Sequence, residues 1–344
     1  MYFITEPKSK KSDFFNYHHQ YSGVKEAVDR GEKIIAVIGV RRVGKTSLLN
    51  VIFNETKSLK VWIDGRIISN PKKEIFHAIY AAAKSGKSKI FGKIESLNIS
   101  AFGIGLDVNV APDSLQKIEN RIKKSKQILV FIDEAQRMDI KELSDVLSYF
   151  YDRLSNVTFI ISGSEVGLVE DVIGQEDSKH PLYGRHITKI VMDRLDQDRA
   201  HEFLESGFEQ AGVKVKKEEI SEAISELDGL IGWLTLYGYE KGIVKNKGAL
   251  EQTIDIAARI VATELVNFLK KAKNRKLYLS IIKNAKETSW DELRTIVGRD
   301  LGESLNPNLF TFAVKKLVNY SFLEKSNNKY RLSDPLLLKA SFLV

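Results

Sequence analysis

The sequence has no cysteine and no long apolar run, and it has few prolines. Its 344 residues include 0 cysteines and 6 prolines. Without cysteine, disulfide bonds and thiolate metal sites are excluded. No apolar run approaches the roughly 20 residues that a membrane span needs, and the first residues lack the features of a signal peptide. We therefore expect a cytoplasmic protein with no membrane partner.

Positive charge is concentrated near the end of the chain. The net charge is +8, and residues 263–344 hold fifteen Lys or Arg against eight Asp or Glu. Such a surface is typical of contact with nucleic-acid phosphates. It is equally typical of a solvated basic surface, and the sequence leaves both interpretations open.

A glycine-rich motif at residues 39–46 reads G-x-x-x-x-G-K-T, the pattern of a phosphate-binding loop. The β-branched run before it predicts a buried parallel strand, and residues 47–53 predict the start of a helix. In that context the loop amides and the helix N-terminus converge on one anion. Lysine at this position reaches the β- and γ-phosphates. The predicted nucleotide-binding residues are Gly39, Val40, Arg41, Arg42, Val43, Gly44, Lys45, Thr46 and Ser47.

A second motif ends the apolar run at residues 127–132. Asp133 follows this predicted strand directly, with Glu134 next in the chain. After a phosphate-binding loop, such a pair completes the constellation of an ATPase, because both motifs lie at the carboxyl edge of one parallel sheet. Asp133 and Thr46 are predicted to hold Mg²⁺, and Glu134 to activate water as a general base. The predicted cofactors are ATP or ADP with Mg²⁺.

Two serines follow the next predicted strand, at residues 157–162. Ser162 and Ser164 stand at its tip, where a hydroxyl group can sense the γ-phosphate or position water. A turn or helix cap is the alternative, because serine is a preferred capping residue.

Periodicity divides the chain into three predicted domains. Residues 1–194 form an ATPase core, with a strand or hairpin inserted at about 97–111, where apolar residues alternate. Residues 195–272 are helical and form a lid. Residues 273–344 read as helix, helix, helix and hairpin, the pattern of a winged helix.

Several motifs together resemble the archaeal ATPase family, a group of AAA+-like P-loop NTPases close to the STAND class. They are the double arginine of the loop, Ile132–Gln136, Ile161–Ser164, Pro181–Arg185 and Tyr330–Pro335. The resemblance implies an α/β fold: a P-loop NTPase core with a five-stranded parallel sheet, an α-helical lid and a C-terminal winged-helix domain. Arg185 is the candidate for an arginine that stabilises transition-state charge, and a structural salt bridge is its alternative.

The sequence departs from the family in two places. The family's Phe-x-x-Arg-Glu-like box, before the first strand, is replaced by Tyr17–Gly23, so no adenine-side residue is assigned. The family's lid has a Gly-x-Pro-Gly segment against the nucleotide. Here Gly229 and Gly232 remain, with Ile231 in place of proline, and these three residues are the predicted lid contacts.

These features predict an enzyme that hydrolyses ATP slowly and uses the cycle to move its lid and winged helix, as a molecular switch. One alternative is a DNA-binding regulator, similar to replication initiators, in which nucleotide controls duplex binding. Another is a scaffold whose winged helix binds a protein client, a second copy or its own ATPase core. The third helix of that domain, residues 309–316, is mostly apolar, so only weak, sequence-independent DNA binding is expected.

Overall fold

The computed structural model describes residues 1–91, 112–164, 172–174 and 178–344. The predicted strand or hairpin at 97–111 lies outside these residues. Within them, none of the helices combines the length and apolar character that crossing a bilayer requires.

The first part of the chain builds a parallel sheet of six strands in the order β3-β2-β4-β5-β1-β6. The strands are β1 (Ile34–Ile38), β2 (Leu59–Asp64), β3 (Lys89–Phe91), β4 (Ile128–Asp133), β5 (Val157–Gly163) and β6 (Thr188–Val191). The five predicted strands of the core are confirmed. A short sixth strand, β3, extends the sheet at one edge.

Helices cover both faces of this sheet. They are α1 (His18–Asp29), α2 (Lys45–Glu55), α3 (Pro71–Ser85), α4 (Pro112–Lys123) and α5 (Ile140–Arg153). Alternate residues of β1 enter different cores: Ile35 and Val37 join one hydrophobic cluster, and Ile34, Ala36 and Ile38 the other. Burial on both faces explains why the central strands are continuous apolar runs.

Four helices follow the sheet. They are α6 (Gln197–Ala211), α7 (Lys217–Leu227), α8 (Ile231–Gly238) and α9 (Ala249–Lys270). Helix α6 begins after Asp196, whose side chain accepts a hydrogen bond from the amide of Arg199 at 2.8 Å. It ends before Gly212, which has a φ of 66°.

The C-terminal segment, defined here as residues 275–340, is a small α+β unit. Its elements are α10 (Arg275–Asn284), β7 (Lys286–Ser289), α11 (Trp290–Leu301), α12 (Pro307–Asn319), β8 (Leu323–Ser326), β9 (Lys329–Leu332) and α13 (Leu336–Ala340). The three predicted helices and the hairpin are all present, and β7 pairs with β9 to complete an antiparallel sheet.

Aromatic packing fixes the C-terminal segment against α9. The ring of Phe268 lies edge-on to Tyr278, Tyr320 and Phe322, each at a centroid distance of 5.1 Å. Edge-to-face pairs of this kind contribute about 0.5–1.5 kcal/mol each beyond their buried area. The long helix α9 therefore shares one core with the C-terminal segment.

Candidate nucleotide-binding site

The phosphate-binding loop connects β1 to α2 at the carboxyl edge of the sheet. Two glycines allow its path. A Cβ atom on Gly39 would lie 2.2 Å from the carbonyl oxygen of Met192, and Gly44 has a φ of 94°. Since Gly44 directly precedes the first residue of α2, the loop amides and the helix N-terminus face one point, as a polyphosphate site requires.

Lys45 folds back onto its own loop. Its Nζ donates hydrogen bonds to the carbonyl oxygens of Gly39, at 2.8 Å, and of Val40, at 2.6 Å. Burial lowers the pKa of Lys45 to about 8, although the carboxylates of Glu134 and Asp133 act in the opposite direction. A bound phosphate would restore the full positive charge, because an adjacent anion favours the protonated amine.

Asp133 lies at the tip of β4, held between two hydroxyl groups. Thr46 Oγ1 donates to one carboxylate oxygen at 2.9 Å, and Ser162 Oγ donates to the other at 2.5 Å. Burial raises the pKa of Asp133, and these two hydrogen bonds oppose the shift. Ser162 therefore serves as a support for Asp133 within β5, and the helix-cap alternative does not apply to it.

The oxygen donors of Thr46 and Asp133 fit Mg²⁺. Across residues 1–91, 112–164, 172–174 and 178–344, no group of three His, Asp or Glu side chains could hold a metal ion. Mg²⁺ does not need such a group, because it is bound through one or two carboxylates together with substrate phosphates and water. The hydroxyl group of Thr46 and the carboxylate of Asp133, which are already in contact, would be those protein ligands.

Glu134 follows Asp133 in the chain and lies beside the polar side chains of Gln136 and Ser164. Gln136 Nε2 donates to Glu134 Oε2 at 2.6 Å and to Ser164 Oγ at 3.1 Å, and Ser164 Oγ lies 3.4 Å from Glu134 Oε2. The side-chain oxygen of Gln136 is buried without a hydrogen-bond donor among the described residues. A water molecule would satisfy it, which fits a site that positions water near Glu134.

Sequence reasoning missed two groups at this edge, Gln136 and the pair of Asp64 and Arg66. Asp64 ends β2 directly opposite Asp133 in the sheet, and it forms an ion pair with Arg66 at 2.5 Å. Burial raises the pKa of Asp64, but the hydrogen bonds and charge of Arg66 outweigh burial and lower it. The sequence signal that could have revealed Asp64 is an acidic residue at the end of the apolar run that forms β2.

The predicted lid, residues 195–272, contacts the phosphate-binding loop. Gly232 donates its amide hydrogen to the carbonyl oxygen of Arg42 at 2.9 Å, and a methyl group of Ile231 lies 3.8 Å from the ideal Cβ position of Gly44. Gly229 accepts a hydrogen bond from the amide of Leu195 at 2.9 Å, which joins the lid to the end of the core. Ile231 and Gly232 thus lie beside the loop, and Gly229 lies against Leu195.

Two arginines and one serine of the loop direct their side chains to other parts of the protein. Ser47 Oγ accepts a hydrogen bond from the amide of Lys8 at 3.0 Å. Arg41 and Arg42 form ion pairs with Glu264 of α9, at 3.5 and 2.7 Å. In this arrangement the guanidinium groups of Arg41 and Arg42 are engaged by other parts of the protein, and contact of their backbone amides with phosphates stays a prediction.

Arg185 is not brought to the phosphate-binding loop of its own chain. It forms a two-pronged ion pair with Asp152 at the end of α5, at 3.1 and 2.7 Å. The next residue, His186, lies 3.4 Å from Glu32, which precedes β1. Both contacts are at the edge where the parallel strands begin, whereas the loop is at the edge where they end. The observed contact of Arg185 is therefore the structural salt bridge given above as the alternative. A role of Arg185 in hydrolysis stays a prediction.

This combination of elements defines a class of protein. A glycine-rich loop between a buried strand and a helix, with Asp133 and Glu134 at the tip of a neighbouring strand, is the site of a P-loop enzyme that binds and hydrolyses nucleotide. A sequence model of the family described as an ATPase domain predominantly from Archaea matches residues 14–236. The chain belongs to this archaeal ATPase family, and it is an ATP-hydrolysing P-loop enzyme.

Two known proteins are similar to this chain over different lengths. A Walker-type ATPase of Pyrococcus abyssi is 25% identical and has a TM-score of 0.78, with 99% of this chain and 100% of that chain covered. An uncharacterised HTH-type transcriptional regulator of Methanocaldococcus jannaschii is 21% identical over 225 residues. That match covers 57% of this chain and 54% of the regulator, so the chain spans about half the length of this relative.

Proposed function

We propose that this ATPase is a Mg²⁺-dependent switch, in which slow hydrolysis moves the lid and a C-terminal winged helix. One observation carries the proposal. The lid helix α8 begins directly on the phosphate-binding loop, where Gly232 donates to the carbonyl oxygen of Arg42 at 2.9 Å. A change of loop conformation on phosphate binding therefore displaces a contact of the lid.

The phosphates are held by the loop amides and by Lys45. Lys45 exchanges its two carbonyl partners for phosphate oxygens, and the exchange favours its charged form. Thr46 and Asp133 hold Mg²⁺, which when bound neutralises charge on the phosphates. Ser162 keeps the carboxylate of Asp133 oriented.

Hydrolysis is assigned to Glu134. Its carboxylate accepts a proton from the attacking water, with Gln136 and Ser164 orienting both the carboxylate and the water. General-base catalysis of this kind contributes roughly 10²–10⁴ in rate. Arg185 can contribute to transition-state charge only from a second copy of the chain, because its edge of the sheet is opposite its own loop.

The lid contains a natural reporter of this switch. The guanidinium carbon of Arg42 lies 4.2 Å from the ring centre of Trp233, so displacement of the loop changes the surroundings of the indole. Adding ATP with Mg²⁺ should therefore change tryptophan emission. The change should be lost in Trp233→Phe, although Trp62 and Trp290 remain.

The control for this experiment is nucleotide binding measured by thermal melting of the same samples. Trp233→Phe should still show a nucleotide-induced melting shift, which separates a lost emission change from lost binding. Unchanged emission in wild-type protein that does bind nucleotide would contradict a moving lid.

Control of DNA binding by nucleotide is the second candidate function. The positive charge of residues 263–344 and the similarity to an HTH-type regulator favour it. The hairpin of β8 and β9 carries Lys325 and Lys329, both exposed. Helix α12, however, exposes Leu309 and Phe312, and apolar side chains of this size suit a protein surface better than base edges.

We therefore expect duplex DNA binding that is weak and independent of sequence. Lys325→Gln with Lys329→Gln should lower affinity evenly across sequences and reduce the salt dependence, because two phosphate contacts are removed. Lys214→Gln with Lys216→Gln, two exposed lid lysines, is the charge-matched control. Binding to one sequence that survives about 0.2 M salt would instead favour a specific regulator.

A further inference from the structure

The two arginines of the phosphate-binding loop form a buried ionic cluster with α9 and the C-terminal segment. Arg42 donates to Glu264 Oε1 at 2.7 Å and to Asp334 Oδ2 at 3.2 Å. Arg41 donates to the carbonyl oxygen of Tyr320 at 2.9 Å, and its Nε lies 3.5 Å from Glu264 Oε2. The arginine side chains are only 14% and 13% exposed. We call Arg41, Arg42, Glu264 and Asp334 the arginine latch.

Asp334 is held on three sides. Besides Arg42, it accepts hydrogen bonds from the indole of Trp233 at 3.0 Å and from the amide of Leu336 at 3.0 Å. Trp233 belongs to α8, and Leu336 begins α13. Because a buried carboxylate is stable only when it is paired and hydrogen-bonded, loss of Arg42 from this cluster would destabilise the seating of the C-terminal segment.

The latch and the nucleotide use the same short stretch of backbone. The amides of residues 40–46 must face the phosphates, while the side chains of Arg41 and Arg42 are bound to α9 and the C-terminal segment. Arg42 has a φ of 68°, a left-handed conformation that costs energy for a residue other than glycine. Such a conformation persists where surrounding contacts fix it. Here the latch holds the side chain of Arg42, and the amide of Gly232 holds its carbonyl oxygen.

The charges of a bound nucleotide determine whether nucleotide binding favours or opposes the closed latch. A bound triphosphate brings several negative charges to the loop that carries Arg41 and Arg42. These charges attract the two guanidinium groups and repel the carboxylates of Glu264 and Asp334. Phosphate binding and the closed latch are therefore in competition.

We infer that the arginine latch couples the phosphate-binding loop to the C-terminal segment. Nucleotide binding releases the C-terminal segment, and docking of the C-terminal segment weakens nucleotide binding. The inference rests on the proposed function, since it names the contacts through which the switch works. Coupling of two binding events is reciprocal. Breaking the latch from the carboxylate side should thus both free the segment and tighten nucleotide binding, with the loop sequence unchanged.

The movement is measured by the distance between two spin labels in the full-length chain. Because the chain has 0 cysteines, Lys72→Cys on α3 and Ser326→Cys on β8 provide two unique attachment points, both exposed. Without nucleotide we expect one short distance. ATP with Mg²⁺ should add a longer population.

Two variants test the latch itself. Glu264→Gln keeps the side-chain shape at a partly exposed position, and Asp334→Asn does the same at a buried one. Each should populate the longer distance without nucleotide and bind ATP about tenfold more tightly, within the usual range of coupling. Glu219→Gln, which removes a charge paired with Lys241 within the lid, should change neither quantity.

The outcomes separate the latch from the proposed function. If both latch variants keep the wild-type distance without nucleotide, or bind ATP with unchanged or weaker affinity, the latch does not couple the loop to the C-terminal segment. If the wild-type chain binds no ATP, the proposed function fails as well, and this appears in the same titration. Wild-type protein that binds ATP at a constant label distance overturns the coupling alone.

Discussion

Lys45→Ala is expected to remove most of the stabilisation that nucleotide gives the fold. A ligand that binds only the folded state contributes about 2.7 kcal/mol at a hundredfold excess over its Kd. Lys45 is the buried cation of the loop, and its two present partners are carbonyl oxygens at 2.8 and 2.6 Å. Without it, the phosphates lose the counter-charge that lies nearest to them.

The measurement is the thermal melting shift on adding ATP or ADP with Mg²⁺. The shift, and not the melting temperature alone, is the informative quantity, because removing a buried lysine changes the stability of the free protein too. Lys57→Ala, an exposed position just after α2, serves as the matched control and should keep the full shift. A full shift in Lys45→Ala would mean that nucleotide binds elsewhere.

Glu134→Gln is expected to bind ATP normally and to hydrolyse it at least about a hundredfold more slowly, the lower end for loss of a general base. The amide keeps the shape of the carboxylate, and the neighbouring Gln136 can turn its own amide to suit it. What is lost is the capacity to accept a proton from water.

Phosphate release and nucleotide affinity should be measured together for this variant. The control is Glu205→Gln, which removes the same charge from an exposed position on α6. Wild-type release in Glu134→Gln would assign the base to another residue. A parallel loss of affinity would assign Glu134 to binding.

The phosphate-binding loop and the Asp133–Glu134 pair could be predicted because their geometry is local. Each motif needs only a strand, a tight turn and the next few residues, and all of these are adjacent in sequence. The parallel sheet then brings the two motifs together, because its strands end at one edge. The strand before the loop and the strands at residues 127–132 and 157–162 could be predicted from apolar runs, because a strand buried on both faces is continuously apolar.

The partners of the loop arginines could not be predicted, because they are distant in sequence. Glu264 and Asp334 are separated from Arg42 by 222 and 292 residues. No pattern of hydrophobic or charged residues specifies such a pairing. Arg41 and Arg42 were therefore assigned to the nucleotide, on the basis of a motif that describes only their backbone.

The contacts of Arg185 could not be predicted from the sequence either. Its motif suggested a catalytic arginine, but the role depends on which edge of the sheet it occupies. That edge follows from the contact with Asp152, 33 residues earlier in the chain. The hydroxyl groups of Ser162 and Ser164 were placed correctly at a strand tip, and only the structure distinguishes their contacts: one supports Asp133, the other approaches Glu134.

The most direct test of the central claim is phosphate release from ATP by the purified 344-residue chain, measured against ATP concentration with and without Mg²⁺. We expect slow release that saturates with ATP, requires Mg²⁺ and falls at least about a hundredfold in Glu134→Gln while ATP stays bound. ATP that binds to the loop and is not hydrolysed by the wild-type protein would contradict it. So would release that continues unchanged when Asp133→Asn removes the carboxylate assigned to Mg²⁺.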